Sequence, residues 1–186
     1  MNHKTDRRVK YTKTALREAL VTLMQDRHIS QITVKALCDL ADVNRSTFYA
    51  HYTDPYDLLG QVEAEVMENL RRFLKTQQMG ERKPVSEPVL TRILDYVKEN
   101  PAVFRALLSE NSHVSIQKDI VSLIQVVDNR YRPDLDQRTI DYLGEFGING
   151  CVSILQKWLG DGMIEPSSSL AELILNVLYY GTSRFQ

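Results

Sequence analysis

The sequence predicts an all-α fold, and three observations lead to that prediction. Apolar residues recur at spacings of three and four along almost all of the 186 residues, which is the period of an amphipathic helix. No segment shows the alternation of apolar and polar residues that marks a half-buried strand. Hydrophobic residues make up 43% of the chain and charged residues 25%, as in an ordinary folded protein.

Three helices are predicted in the first third of the chain. The first covers about residues 10–26, where apolar residues follow the helical period. A short second helix follows Thr33, because its hydroxyl can accept hydrogen bonds from the unpaired N–H groups of a first turn. The third covers residues 45–52, with Asn44 as its N-cap. These three helices form the predicted N-terminal head.

A fourth helix is predicted from Asp54 to about residue 78. Asp54 is a good capping residue, and Pro55 suits the first helical position. Residues 79–88 then read as an exposed loop, and Asn100-Pro101 interrupts the helical pattern because proline disfavours helix in the preceding residue. Further helices are predicted around residues 90–97, 104–108, 116–127, 136–161 and 168–178.

The charge is unevenly distributed between the two parts of the chain. Residues 1–53 hold nine basic and five acidic residues, whereas residues 54–186 hold 14 basic and 19 acidic residues. A basic head on an acidic body favours contact between the head and a polyanion. The alternative is a chance excess. We therefore expect a head at 1–53 and a body at 54–186, with the helix at 54–78 as the connector.

Several functional classes find no support in the sequence. The two cysteines, Cys38 and Cys151, are too few for a disulfide framework or a cysteine-only zinc site, and both are expected in the core. The histidines are scattered, so no metal site is expected. Phosphate-binding glycine loops and nucleophile motifs are missing, so we expect no catalytic residues and no cofactor. No secretory signal or membrane span is expected, which favours a cytoplasmic protein.

The third predicted helix carries the most informative surface. Phe48 and Tyr52 lie one turn apart and should both face inward. The remaining side chains form a small, hydroxylated and basic surface that could enter a DNA major groove, where Arg45 could pair with guanine. The alternative is a plain solvated face. The surface consists of Arg45, Ser46, Thr47, Tyr49, Ala50 and His51.

Residues 33–52 resemble the helix-turn-helix of the TetR family of regulators, and the resemblance extends over residues 10–75. The family pattern begins with threonine and an apolar residue and ends in Thr-(apolar)-Tyr-x-His-(aromatic), before a helix that opens in Leu-Leu. The positions that match it are Thr33, Val34, Leu37, Ala41, Val43, Thr47, Phe48, Tyr49, His51, Tyr52, Leu58 and Leu59. Together with this face, the resemblance implies DNA contacts from Thr33, Lys35, Asn44, Arg45, Ser46, Thr47, Tyr49, His51 and Tyr52.

The C-terminal part resembles one subclass of the same family. That subclass has a ligand-binding domain with the motif Gln-Lys-Trp-Leu-x-x-Gly-Met, which matches residues 156–163. The resemblance implies a pocket for a small-molecule effector in residues 54–186. Neither the effector nor the pocket residues follow from the sequence.

A homodimer is expected from the last two long helices. Their apolar residues cover more than one face, and Gly144, Gly147 and Gly150 would permit close approach of another helix. The alternative is an intramolecular core. The residues expected at the dimer interface are Cys151, Leu155, Trp158, Leu173 and Val177.

The resemblance implies a dimeric transcription regulator that binds a palindromic operator in double-stranded DNA. A repressor released by its ligand is the first hypothesis. The alternatives are an activator or co-regulator of the same fold, and a helical ligand-binding adaptor without DNA binding. Pro55 stands where family members often carry a phosphate-binding lysine. The backbone contact is therefore expected to be lost, or moved to Tyr56 or to the basic arm Lys4–Lys13.

Overall fold

The computed structural model describes residues 3–76, 86–109 and 135–181, and within these ranges it contains helices and turns but no strand. This confirms the predicted all-α fold. The helix expected around residues 116–127 and most of the loop at 79–88 lie outside the described residues. The α-helices are α1 (His3–Leu23), α2 (Val34–Ala41), α3 (Arg45–Tyr49), α4 (Pro55–Thr76), α5 (Glu87–Glu99), α6 (Pro101–Leu108), α7 (Gln137–Gly160) and α8 (Ser167–Tyr180).

Helix α1 begins earlier than its apolar pattern indicates. It starts at His3 rather than near Lys10. The added turns consist mostly of polar residues, which extend a helix without contributing to an apolar stripe. The predicted stripe is confirmed further along, where Leu16 and Leu20 are fully buried.

Helices α2 and α3 are joined by a tight turn whose caps follow from the sequence. The Thr33 hydroxyl accepts a hydrogen bond from the Ala36 N–H at 3.1 Å, which confirms its predicted capping role. Asp42 ends α2 in the left-handed region at φ 52°, a conformation that aspartate tolerates better than most residues. The chain then reverses, and the Val43 N–H donates to the Cys38 carbonyl at 3.0 Å.

The start of α4 is held by two reciprocal side-chain bonds, as in a capping box. Asp54 Oδ1 accepts from the Asp57 N–H at 2.9 Å, and Asp57 Oδ2 accepts from the Thr53 N–H at 2.8 Å. The Thr53 N–H, followed by the Gln61 side chain, holds the pKa of the Asp57 carboxyl below its usual value. The prediction that α4 opens at Asp54 and Pro55 is therefore confirmed.

The body is built from α4 to α8 around one hydrophobic core. The predicted break at Asn100 separates α5 from α6, and the Asn100 amide donates to the Tyr96 carbonyl at 2.9 Å. Helix α5 packs along α8, and α6 packs against α7. Arg105 joins the latter pair, because its guanidinium donates twice to the Leu159 carbonyl, at 3.1 and 2.7 Å.

Among the described residues, two polar contacts join α1 and the turn after it to the body. The Arg17 guanidinium pairs with the Glu65 carboxylate of α4 at 2.9 Å, and the Gln25 amide donates to the Ala102 carbonyl of α6 at 3.3 Å. The buried apolar residues form one cluster that extends from α1 to α8. A displacement of α4 or α6 would therefore also move α1 and with it the head.

Candidate nucleic-acid interface

The outward face of α3 is exposed and polar. Arg45, Ser46 and Ala50 lie at the surface, and the Tyr49 ring is 59% exposed. Thr47 is half-buried at the edge of this face. Within the described residues Arg45 forms no ion pair, so its guanidinium is available to an outside anion.

A buried aromatic cluster fixes the orientation of this short helix. Phe48 is fully buried, and its ring centroid lies 5.6 Å from those of Tyr49 and Tyr52. A helix of five residues has too few internal hydrogen bonds to be stable alone, so packing of Phe48 against the core holds it in place. The opposite face is thereby turned to solvent.

Helix α3 ends earlier than the predicted 45–52. The helix proper stops at Tyr49, although the His51 and Tyr52 N–H groups still donate to the Phe48 carbonyl at 2.9 Å. The chain bends there because the Tyr52 ring turns into the core. Asn44 occupies the N-cap position as predicted, but its side chain makes no capping bond.

Two expected DNA contacts, Thr33 and Lys35, lie at the start of α2. Both side chains are exposed. The Thr33 hydroxyl is already engaged by the Ala36 N–H. Its oxygen can still donate its proton to a phosphate, so capping and DNA contact are compatible.

Tyr52 departs from the expected DNA contact. Its side chain is only 5% exposed, because it packs against Phe48 in the core. The inward orientation derived from helical spacing is confirmed, and the role as a DNA contact is corrected. His51 is half-buried, with its ring 6.3 Å from that of Tyr52.

The start of α4 is a poor place for a phosphate. Pro55 provides neither a positive charge nor an N–H, and the neighbouring caps are the carboxylates of Asp54 and Asp57. These negative charges repel a phosphate and disfavour its binding here. Tyr56 is nearly half exposed, but it stands between these two carboxylates.

A small enclosed cavity lies in the body and is lined by apolar residues and one thiol. Its volume is about 10 Å³, roughly that of one water-sized sphere. Burial raises the pKa of the Cys151 thiol in its wall to about 11, so this cysteine stays protonated, as expected for a core residue. The lining residues are Leu70, Leu90, Ile93, Leu94, Val97, Phe104, Cys151, Leu155 and Ile174.

The expected dimer residues fall into two groups. Cys151, Leu155 and Trp158 are buried in the core of a single chain, which differs from the expectation and leaves them almost no surface for a partner. Leu173 remains 40% exposed and Val177 is partly exposed. Helical spacing identified the first three as apolar, but it could not tell an internal partner from an external one.

Another face of α7 has no neighbour among the helices that the structure describes. Phe146 is 72% exposed and Leu143 is 41% exposed. A side chain added at Gly144 or Gly150 would meet nothing within 4 Å. Leu143, Phe146 and Gly150 share one face at the spacing i, i+3 and i+7, and Gly144 lies at its edge. We call Leu143, Gly144, Phe146 and Gly150 the α7 face.

The described ranges contain neither a cluster of metal-binding side chains nor a membrane-spanning helix. Among these residues, no three His, Cys, Asp or Glu side chains are grouped closely enough to hold a metal ion. None of the helices described is sufficiently long and apolar to cross a membrane.

The chain matches known regulators in sequence. Residues 86–180 match the family model TetR_C_8, described as a transcriptional regulator C-terminal region. The chain is 25% identical over 112 residues to YxbF of Bacillus subtilis, an HTH-type transcriptional regulator. That match covers 56% of this chain and 28% of the relative's length.

Two solved structures share the arrangement of the helices. A TetR transcriptional regulator from Streptococcus agalactiae is 26% identical with a TM-score of 0.64, over 94% of this chain and 97% of that one. The regulator FadR from Bacillus subtilis, solved with stearoyl-CoA, is 14% identical with a TM-score of 0.52, over 90% and 98% of the two chains. The helix-turn-helix residues, the fold and the family match agree, and the chain belongs to the TetR family of transcriptional regulators.

Proposed function

We propose that the protein is a cytoplasmic, homodimeric repressor that binds operator DNA and leaves it when a small apolar ligand binds the body. It would act by binding, without catalysis. The observation that carries this proposal is the pairing of a buried Phe48 with an exposed face of Arg45, Ser46 and Tyr49 on one short helix. This face fits a major groove, because Ser46 and Ala50 permit close approach and Arg45 can donate two hydrogen bonds to guanine.

Dimerisation would use the α7 face together with the exposed part of α8. Two-fold pairing brings the same patch of each subunit together, and the bare glycines would let the two helices approach closely. Phe146 and Leu173 would then lose their exposure to water. The two recognition helices would meet successive major grooves, about 34–36 Å apart.

The ligand site would be the apolar cavity of the body. Its walls come from all five body helices, and they offer no charged group. An apolar ligand therefore fits this site best, and it would have to enlarge the cavity to enter. Phe104 of α6 lines the cavity, and Ala102 two residues before it contacts Gln25 in the turn after α1, so expansion would move the head. Tight binding to only one of the two arrangements would shift DNA affinity.

A mobility-shift titration with the promoter fragment adjoining the protein's own gene tests DNA binding. Arg45→Ala should weaken binding by about 1–3 kcal/mol if Arg45 contacts a base. Tyr49→Ala should also weaken it. Arg72→Ala is the matched control, because Arg72 is an exposed arginine of α4 on a weak surface pair with Glu68 at 3.9 Å. Equal affinity of all four proteins would contradict the proposal.

Two alternatives have their own tests. An activator or co-regulator would use the same α3 face, and a reporter gene in a deletion strain separates it from a repressor by the sign of the change. An adaptor without DNA binding is favoured by the carboxylates at the start of α4, where phosphate contact is expected in relatives. Absence of any shift at low salt, where phosphate contacts are strongest, would select the adaptor.

A further inference from the structure

A groove runs between α1 and α4, apart from both the α3 face and the apolar cavity. We call it the α1–α4 groove, and its volume is about 380 Å³. Leu58 and Val62 of α4 provide apolar lining, while Lys10, Lys13 and Arg17 of α1 form the opposite wall. The groove therefore combines apolar contact area with a row of cations.

The charges of this groove are unbalanced. Glu65 is the acidic residue that lines it, and its carboxylate is already paired with Arg17 at 2.9 Å. Lys10 and Lys13 form no ion pair within the part of the chain that the structure describes. Two ammonium groups at one cleft, whose described lining has no acidic residue other than Glu65, attract an anion.

Tyr52 adds a hydrogen-bond donor to the same groove. The residue is only 5% exposed and lines the groove, and no hydrogen bond of its hydroxyl is found among the described residues. Burial, followed by the carboxylates of Asp57 and Glu65, raises the pKa of Tyr52, so the hydroxyl keeps its proton at neutral pH. This hydroxyl is not one of the buried atoms that lack a partner, so it is open to the groove and can donate to an acceptor bound there.

We propose that the α1–α4 groove binds a small organic anion with an apolar body, such as a carboxylate or a phosphate monoester. The anionic group would lie against Lys10 and Lys13 and accept a hydrogen bond from Tyr52. The apolar body would cover Leu58 and Val62. This site is separate from the effector cavity, and it does not depend on DNA binding.

Occupancy of the groove would also affect the link between the head and the connector. Arg17 joins α1 to α4 through its ion pair with Glu65. A bound anion would compete with Glu65 for the Arg17 guanidinium. The contact between α1 and α4 would then weaken when the groove is filled.

Isothermal titration of the full-length protein with three probes tests the proposal. The anions 2-naphthoate and 1-naphthyl phosphate should bind about tenfold more tightly than the uncharged 2-naphthalenemethanol, since hydrogen bonds to charged groups are stronger than neutral ones. Lys13→Gln should remove most of that preference. Tyr52→Phe should weaken the anions about fivefold, the size of one hydrogen bond.

Two further variants make the result specific. Glu65→Gln should tighten anion binding several-fold, because it removes the carboxylate that competes for Arg17. Lys98→Gln, on an exposed lysine of α5 outside the groove, should change nothing. Equal affinity for charged and uncharged probes would overturn the proposal. Unchanged anion binding in both Lys13→Gln and Tyr52→Phe would also overturn it. If Lys13→Gln lowers only the affinity for DNA, Lys13 contacts the DNA backbone instead of an anion in the groove.

Discussion

Helix α3 in the head and helix α7 in the body both expose aromatic side chains, but their surroundings differ. On α3, Tyr49 is accompanied by Arg45 and small hydroxylated residues. On α7, Phe146 is accompanied by Leu143 and bare glycines. A polar, basic face suits a polyanion, whereas an apolar face with glycines, which have no side chain, suits close contact with another protein helix. The same residue class is therefore exposed on two surfaces that suit different kinds of partner.

The largest effect is expected from two buried phenylalanines, one in the head and one in the body. Phe48 and Phe104 are both fully buried in the same apolar cluster. Replacing either by alanine should lower the free energy of unfolding by about 3–5 kcal/mol, because transfer and cavity terms add. Chemical denaturation should show one cooperative transition for each variant. Two transitions in Phe48→Ala alone would mean that the head unfolds separately. That result would contradict a single shared core.

The second prediction concerns the partner of the α7 face. Gly150→Leu should shift the protein from dimer to monomer, since overpacking costs about 1–3 kcal/mol at each of two symmetry-related contacts. Gly60→Leu on α4 is the matched control, because a side chain at Gly60 also meets nothing within 4 Å of the subunit. Sedimentation velocity at several protein concentrations measures the change. A dimer that survives equally in both variants would exclude the α7 face.

The third prediction isolates the cap that orients the head. Thr33→Ala should destabilise the protein by about 1 kcal/mol, because the Ala36 N–H loses its acceptor. Thr33→Ser keeps the hydroxyl and should restore stability. Thermal unfolding measures the cap, and a mobility shift on the same pair measures DNA contact. If Thr33→Ser restores stability but not DNA affinity, the methyl group also contributes to binding.

The smallest effect is expected from two capping carboxylates, one on the connector helix α4 and one on α7. Asp57 at the start of α4 and Asp136 at the start of α7 both have a pKa lowered by hydrogen bonds, from Thr53 and Thr139 respectively. A depressed folded-state pKa contributes stability that is present above the unfolded value, about 4, and is lost as pH falls through the folded value. Asp57→Asn and Asp136→Asn should each flatten the loss of stability below about pH 4.

Carboxyl resonances followed by NMR during an acid titration would check the last prediction directly. Both carboxyls should titrate below the ordinary aspartate pKa of about 4. Titration of Asp57 at an ordinary aspartate pH would show that the α4 cap is not formed in solution.

Local signals in the sequence were sufficient for most helix boundaries. The caps at Thr33 and Asp54 and the break at Asn100 depend on residues within four positions of each other, so short-range chemistry decides them. The orientation of α3 was equally accessible, because a helix turns by a constant angle per residue. The early start of α1 was missed, because polar helical turns leave no apolar pattern.

The sequence did not show whether an apolar residue of α7 packs inside the chain or lies at its surface. Trp158 and Phe146 both lie on apolar positions of α7, yet one is buried and the other is 72% exposed. The Trp158 N–H donates to the Glu165 carbonyl at 3.1 Å, in a turn with left-handed Gly162 and Met163, and this closes the turn over the ring. Periodicity reports which residues are apolar, but not which surface covers them.

By itself, the order of residues determined the helical architecture, the capped turn before α3 and the polar face that α3 turns to solvent. Only the tertiary structure decided that Tyr52 lines a groove beside α1, that Cys151 lines a closed cavity and that Phe146 lies outside the core. The physical reason is the range of the interactions. Hydrogen bonds within a turn act between neighbours in the chain, whereas burial is decided by helices that meet from distant parts of it.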